Sequence, residues 1–260
     1  MERIVRVEVD GRSQWGRVAG DEVVRLPDGP FAADASSGEV MGPVDGLRRL
    51  APVQPTKIIC VGRNYVAHAA EHGAVVPARP LLFSKPPSAV VGPRDDIVLP
   101  PESDRVEHEG ELALVIGRRV RRVAEDDAWE AVLGVTCADD VTARDLQRAE
   151  KQWTRGKGFD TFCPVGPWIV TGLGREDVAD LDIRCSVNGE LRQHGRTSEM
   201  VFSPAFLVSY VSQVMTLEPG DLILTGTPAG VGPLAHGDEV VVEIDGIGRL
   251  SNPVRDETAR

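Results

Sequence analysis

A chain of 260 residues, 42% of them hydrophobic and 27% charged, is long enough to bury a full core in one substantial domain with a small appendage. Its formal net charge of −11 works against nucleic acid or an anionic membrane surface as a partner, and no apolar run approaches the ~20 residues that span a bilayer. The four cysteines (Cys60, Cys137, Cys163, Cys185) form no CxxC pair and no charged-then-apolar leader precedes them, so a soluble, cytoplasmic protein without a thiolate zinc site is expected.

Residues 3–9 alternate apolar and charged side chains, Asp10-Gly11 offers a turn, and residues 15–18 and 23–26 can return as strands, which together predict a small antiparallel N-terminal unit. Gly, Pro and Asp dominate from Pro27 to Pro55. A boundary near residue 55 follows, with a small β domain over 1–55 and the main domain over 56–260. Residues 57–61 read as a short buried strand leading into a short helix, residues 64–71, capped at Asn64.

Glu109-Gly110-Glu111 stands at the mouth of the apolar run Leu112-Ala113-Leu114-Val115-Ile116. On a strand, residues two apart face the same way, so both carboxylates point at one spot. Like charges beside a buried strand repel and lose solvation, which invites a cation between them; a hard, oxygen-loving ion such as Mg²⁺ or Mn²⁺ suits the donors, whereas a solvated strand end would need none. Residues 125–133 read as an acid-started helix ending at Gly134. A longer helix is predicted over 140–153, with Thr142, Leu146, Ala149 and Trp153 as its apolar stripe and Asp140, Arg144 and Gln147 on the opposite face. Beyond it strands are predicted at 168–170, 182–187, 221–224 and 239–244, the second and fourth closed by Asn188-Gly189 and Asp245-Gly246, so antiparallel hairpins dominate the second half.

Only Lys57, Lys85, Lys151 and Lys157 are lysines among 29 basic residues. Lys157 lies between Gly156 and Gly158, where the backbone can approach closely, and Lys85 precedes Pro86-Pro87; either is a candidate compact positive charge or a solvated loop lysine. His68 and Glu71 fall three apart, close enough for carboxylate to orient imidazole as a base, although the same pair suits a surface contact; His72 sits on the same side. His108, His194 and His236 have no partner at a ligand spacing. Residues 225–232, Thr-Gly-Thr-Pro-Ala-Gly-Val-Gly, form a turn able to present amides or hydroxyls to a small carboxylate, but lack the lysine of a phosphate-binding loop. No Gly-x-Ser-x-Gly elbow exists, which disfavours covalent catalysis.

Taken in order, Gly62-Arg63-Asn64-Tyr65 with His68 and Glu71, Phe83-Ser84-Lys85-Pro86, Glu109-Gly110-Glu111-Leu112, residues 140–145, Gly156-Lys157-Gly158-Phe159, and residues 226–232 resemble the fumarylacetoacetate hydrolase family from about Lys57 to Val254. The resemblance implies an α+β, β-rich fold, a mixed β-sandwich roll beside the small N-terminal antiparallel unit, and a homodimer. It implies Glu109, Glu111 and Asp140 as ligands of Mg²⁺ or Mn²⁺, Lys157 facing a substrate oxyanion, and His68 with Glu71 on a segment that activates water or shuttles a proton. Gln147 and Thr227 are similar to substrate-contacting positions; Arg63, Lys85 and Arg144 are candidates for anion recognition or site support.

The chain lacks room for the large N-terminal domain of the hydrolase that names the family, so the shorter bacterial branch is the better match. Within it the expected function is a metal-dependent 2-hydroxyhepta-2,4-diene-1,7-dioate isomerase/decarboxylase of aromatic-acid catabolism, acting on a small 2-oxo or 2-hydroxy-dienoic acid through a metal-stabilised enolate. An acylpyruvate (fumarylpyruvate-type) hydrolase or an oxaloacetate decarboxylase would use the same parts. A non-catalytic module binding a divalent ion or a carboxylate is the reading from a different class, and would not require His68, Glu71 and Lys157.

Overall fold

The computed structural model describes residues 1–32 and 36–257. Most of the strands join one twelve-stranded sheet, whose path runs Val40–Pro43, Glu22–Arg25, Arg12–Ala19, Glu2–Val9, Cys163–Thr171, Val132–Asp139, Gly110–Ile116, Leu222–Leu224, Ile58–Gly62, Leu81–Lys85. The first four strands are the antiparallel N-terminal unit, and Glu2–Val9 pairs directly with Cys163–Thr171, so one sheet runs through both predicted domains. A five-stranded sheet, Glu190–Arg196, Asp182–Val187, Glu239–Ile244, Gly248–Asp256 and Ile97–Leu99, packs on it.

Strand periodicity sorts the core. Leu112, Leu114 and Ile116 enter one apolar cluster with Ile59, Val61, Cys185 and Val242, the layer between the sheets; Ala113 and Val115 enter another with Ile58, Cys60, Leu222 and Leu224. Side chains two apart on a strand share a face, so Glu111 lies with Ala113 and Val115. Gly110 faces the other sheet, where an added Cβ would sit 3.1 Å from Cys185 Cβ and 3.3 Å from Val242. The glycine therefore lets the strand press against the second layer while its neighbours turn their carboxylates the other way.

Three sequence expectations are corrected. The helix over 140–153 does not exist as one element: Thr142–Ala143 is a strand, Arg144–Ala149 a short helix, Glu150 extended, and Thr154–Lys157 one further turn. Thr142 Oγ1 donates to the carbonyl of Asp140 at 2.8 Å, a local bond that competes with helical pairing and holds Asp140 on a loop. The helix over 125–133 shrinks to Glu125–Ala128 with a 3-10 turn to Ala131, because Val132 already begins a strand that runs through Gly134. Asn64 caps nothing: the helix is Val66–Glu71 with Tyr65 before it, and the Asn64 amide ties two loops instead. The helix Pro204–Val214, started by Ser203 Oγ accepting from the Phe206 amide, went unassigned in the sequence reading. Among the described residues no helix is long and apolar enough to cross a membrane.

Candidate active site

Glu109, Glu111 and Asp140 converge, each offering a carboxylate oxygen within 4.8 Å of the others. Two come from the entry to the Gly110–Ile116 strand and the third from the loop after Val132–Asp139, its antiparallel neighbour. The Asp140 amide donates to the carbonyl of Glu109 at 2.9 Å, which fixes the two backbones against each other.

Three buried cations surround the cluster. Lys157 Nζ donates to Glu109 Oε2 at 2.8 Å and to Asp140 Oδ2 at 2.6 Å. Lys85 Nζ donates to Asp140 Oδ1 at 2.5 Å and to the Val141 carbonyl at 2.9 Å. Arg144 is spent in three directions, on Glu107 at 2.6 Å, Glu109 at 2.5 Å and Gln147 at 2.5 Å. Burial alone would raise Glu109, but Lys157 and Arg144 outweigh it and hold its carboxyl well below the ordinary range. Burial would likewise lower Lys157, and the charges of Asp140 and Glu109 raise it instead.

Glu111 has no such partner. Among the described residues no cation pairs with it; only the Gly226 amide donates to it, at 2.7 Å. Burial, then the charges of Asp140 and Glu109, push its carboxyl well above the usual carboxylate range. A buried carboxylate short of counter-charge, beside two others and with oxygen donors throughout, fits a hard divalent ion. Mg²⁺ or Mn²⁺ would be held by Glu109, Glu111 and Asp140.

The cluster opens into a cavity of about 310 Å³, which Arg63, His68, Gln147, Lys157 and Thr227 also line. His68 is 7% exposed, and burial lowers its pKa below the ordinary 6.5 despite the nearby Glu109 carboxylate, leaving a neutral imidazole. Its Nδ1 lies 3.4 Å from Glu71 Oε2 without hydrogen-bond alignment. Glu71 instead accepts the Gly230 amide at 3.1 Å, which ties the Val66–Glu71 helix to the glycine-rich turn. That turn does present amides to carboxylates, and they are the protein's own. Gly226 requires its glycine: φ is +98° and a Cβ would sit 2.7 Å from Asn64 Cβ.

The structure thus brings all eleven sequence-derived candidates to one region, with differing freedom. Arg144, Lys85 and Gln147 are engaged with protein partners, and Thr227 donates to the Gly110 carbonyl at 2.8 Å while accepting from Gln193 Nε2 at 2.7 Å. Arg63 stands over the Trp153 ring, 5.9 Å from its centroid, and among the described residues no carboxylate pairs with it or with Arg148, which also lines the cavity.

Sequence reasoning missed Arg148, Glu107 and Gln193. Gln193 is fully buried; its Oε1 accepts from the Gly110 amide at 2.9 Å and its Nε2 donates to Thr227 and to the Pro228 carbonyl, so it joins the carboxylate strand to the glycine-rich turn. His108, which has no partner at a ligand spacing in the sequence, lies on the strand Val106–His108, buried with its Nδ1 3.0 Å from Gln193 Oε1. Nothing in the spacing of residues 107 or 193 announces these contacts, which cross 37 and 83 positions of chain.

The sequence profile of the fumarylacetoacetate (FAA) hydrolase C-terminal family matches residues 57–255, and an Rv2993c-like N-terminal profile matches residues 2–52. The structure superposes on 5-carboxymethyl-2-hydroxymuconate delta-isomerase of Mycobacterium smegmatis with a TM-score of 0.91 at 44% identity, covering 98% of this chain and 100% of that one. It superposes on 2-hydroxyhepta-2,4-diene-1,7-dioate isomerase of Mycobacterium marinum with a TM-score of 0.91 at 43% identity, covering both chains in full. The mitochondrial oxaloacetate tautomerase FAHD2B of Bos taurus is 51% identical over 215 residues, 79% of this chain and 68% of the relative.

Proposed function

As the chain belongs to the fumarylacetoacetate hydrolase family, we propose that it is a Mg²⁺- or Mn²⁺-dependent enzyme that moves a proton on a 2-oxo or 2-hydroxy-dienoic dicarboxylic acid through an enolate, with 2-hydroxyhepta-2,4-diene-1,7-dioate isomerisation as its reaction. The convergence of Glu109, Glu111 and Asp140 on one cavity with Lys157 and a neutral, buried His68 carries this reading.

A divalent ion at the three carboxylates would supply an electron sink for the carboxylate and neighbouring oxygen of the acid. Lys157 has three N–H donors and spends two on Glu109 and Asp140, so one remains for an oxygen that gains charge in the enolate. His68, neutral at physiological pH, can accept the proton of the 2-hydroxyl as the dienolate forms and return it to a carbon of the diene as the 2-oxo acid forms, while Glu71 at 3.4 Å favours the transient imidazolium. Arg63 and Arg148, which pair with no carboxylate among the described residues, suit the far carboxylate of a dicarboxylic substrate. Lys85 and Arg144 hold the metal-binding carboxylates in place, Gln147 orients Arg144, and Thr227 fixes the turn. No step consumes water or breaks a carbon–carbon bond.

The similarity to an oxaloacetate tautomerase favours a second reading, keto–enol exchange of oxaloacetate, which is also proton relocation on a 2-oxo dicarboxylate. Acylpyruvate hydrolysis and oxaloacetate decarboxylation rank behind both, because they demand cleavage. The test is a panel of the dienedioate, oxaloacetate and acylpyruvates with Mg²⁺ or Mn²⁺, followed by ultraviolet absorbance and product analysis. Conversion of the dienedioate without carbon dioxide release supports the isomerase; turnover of oxaloacetate enol alone supports the tautomerase. No turnover of any substrate with either ion would contradict catalysis and leave a carboxylate-binding module.

A further inference from the structure

The Val66–Glu71 helix and its cap carry a second constellation, in which His72, unused by the proposed chemistry, joins His68 and Glu71. His68 and His72 are four apart, one helical turn, with Glu71 between them: His-x-x-Glu-His. That spacing sets two imidazoles on one face, as in helical zinc sites. In the fold the rings meet edge to face, centroids 4.8 Å apart, and one donor atom from each of His68, Glu71 and His72 lies within 4.8 Å of the other two.

Two observations argue that the cluster is built for a ligand. His68 Nδ1 and His72 Nε2 are both buried and neither has a hydrogen-bond partner, although buried ring nitrogens are ordinarily satisfied. His68 is itself more than nine-tenths buried, so water does not relieve it. Burial also disfavours the charged form of both rings, which keeps their lone pairs available.

We propose that His68, Glu71 and His72 form a second cation site, selective for zinc or a similar borderline transition ion and separate from the all-oxygen site at Glu109, Glu111 and Asp140. Two imidazoles and one carboxylate are the donors zinc prefers, with a fourth position left for water, whereas Mg²⁺ prefers oxygen alone. Bonds of about 2.1 Å place tetrahedral ligands roughly 3.4 Å apart. The cluster closes to that spacing by rotation of the half-buried His72 and the exposed Glu71, with His68 as the fixed point. Zinc held there withdraws His68 from proton transfer, so Zn²⁺ inhibits an enzyme that Mg²⁺ or Mn²⁺ activates; this consequence rests on the proposed function, and the site itself does not.

The test is calorimetric titration of the full chain with Zn²⁺ in saturating Mg²⁺, on the wild type, His72→Asn and Glu111→Gln, with circular dichroism to check each fold. Loss of outer-sphere partners alone weakens metal sites 10–100-fold, so loss of a ligand in His72→Asn should weaken zinc binding by about 10²-fold or more, while Glu111→Gln keeps it. Co²⁺ used as a probe should give the visible bands of a low-coordinate N/O site in the wild type and Glu111→Gln, and lose them in His72→Asn. Wild-type zinc affinity in His72→Asn would overturn the proposal, as would zinc binding abolished by Glu111→Gln and kept by His72→Asn, which places the ion among the carboxylates. Both readouts are independent of turnover, so a failed isomerase assay leaves them intact.

Discussion

Lys157 sits where charge balance and chemistry meet. Its ammonium bridges Glu109 and Asp140 and faces the cavity. Lys157→Met should retain Mn²⁺ binding, since it removes a competitor for two of the three carboxylates, yet lower turnover by about 10²-fold or more, the usual cost of deleting an oxyanion donor; steady-state kinetics beside Mn²⁺ titration checks both halves. In the reaction His68 is expected to carry a proton and not to hold the Mn²⁺ of the carboxylate site, so His68→Ala should lower turnover by ~10²–10⁴-fold and leave Mn²⁺ affinity unchanged. Its lowered pKa gives the pH profile a sign. Burial holds the folded ring below 6.5, so the base form persists under mildly acid conditions and the acid limb of kcat/KM should fall below pH 6.5. Between the folded pKa and 6.5 the unfolded chain binds more protons, so this residue's contribution to stability is complete above 6.5 and is lost as pH falls through the folded value. A wild-type acid limb above pH 6.5, or one that persists in His68→Ala, would assign the titration to another group.

Between elements, Asn64 makes the connections that matter most. It is fully buried, donates to the Phe202 and Thr225 carbonyls at 3.1 and 2.7 Å, and accepts from the Phe202 amide at 2.8 Å. Asn64→Ala strands three backbone groups, one buried and two half-buried, and at roughly 1–3 kcal/mol each, partly relieved by water at the half-buried pair, the loss should be about 3 kcal/mol in urea denaturation; a loss under about 1 kcal/mol would mean that the loops re-pair without it. The same residue marks where the sequence stopped being legible. A lone Asn before a short amphipathic run reads as a cap, and the partners that claim it stand 138 and 161 positions away. The helix over 140–153 failed similarly: its 3.6-residue stripe is real on paper, but Lys85 and Lys157 pin Asp140 and Thr142 bonds back to it, and tertiary charge overrides the local pattern. Glu109 and Glu111 were legible because period two depends only on the strand between them. The Pro204–Val214 helix should have been legible too, since Ser203-Pro204 is a strong helix-start signal.

At the scale of the whole molecule, the two sheets trap an apolar layer on one side of Gly110–Ile116 and leave the site on the other, so the carboxylates sit on a packed sheet while the His68 helix buries His68 and Ala69 and is tied to the glycine-rich turn through Glu71. Such a site should be stabilised by its ion: Mn²⁺ at a hundred times its dissociation constant contributes about 2.7 kcal/mol, seen as a rise in Tm that EDTA reverses. The homodimer implied by the family resemblance is an expectation for sedimentation analysis, which should give twice 28.0 kDa. The central claim, that Glu109, Glu111 and Asp140 form one divalent-ion site, is tested most directly by Mn²⁺ calorimetry on the wild type and Glu111→Gln. One Mn²⁺ per chain in the wild type and an affinity about 10²-fold weaker in the variant is the predicted result, because two carboxylates, both also engaged by lysine, offer too little charge to offset dehydration of the ion. Equal affinity in both proteins would contradict it.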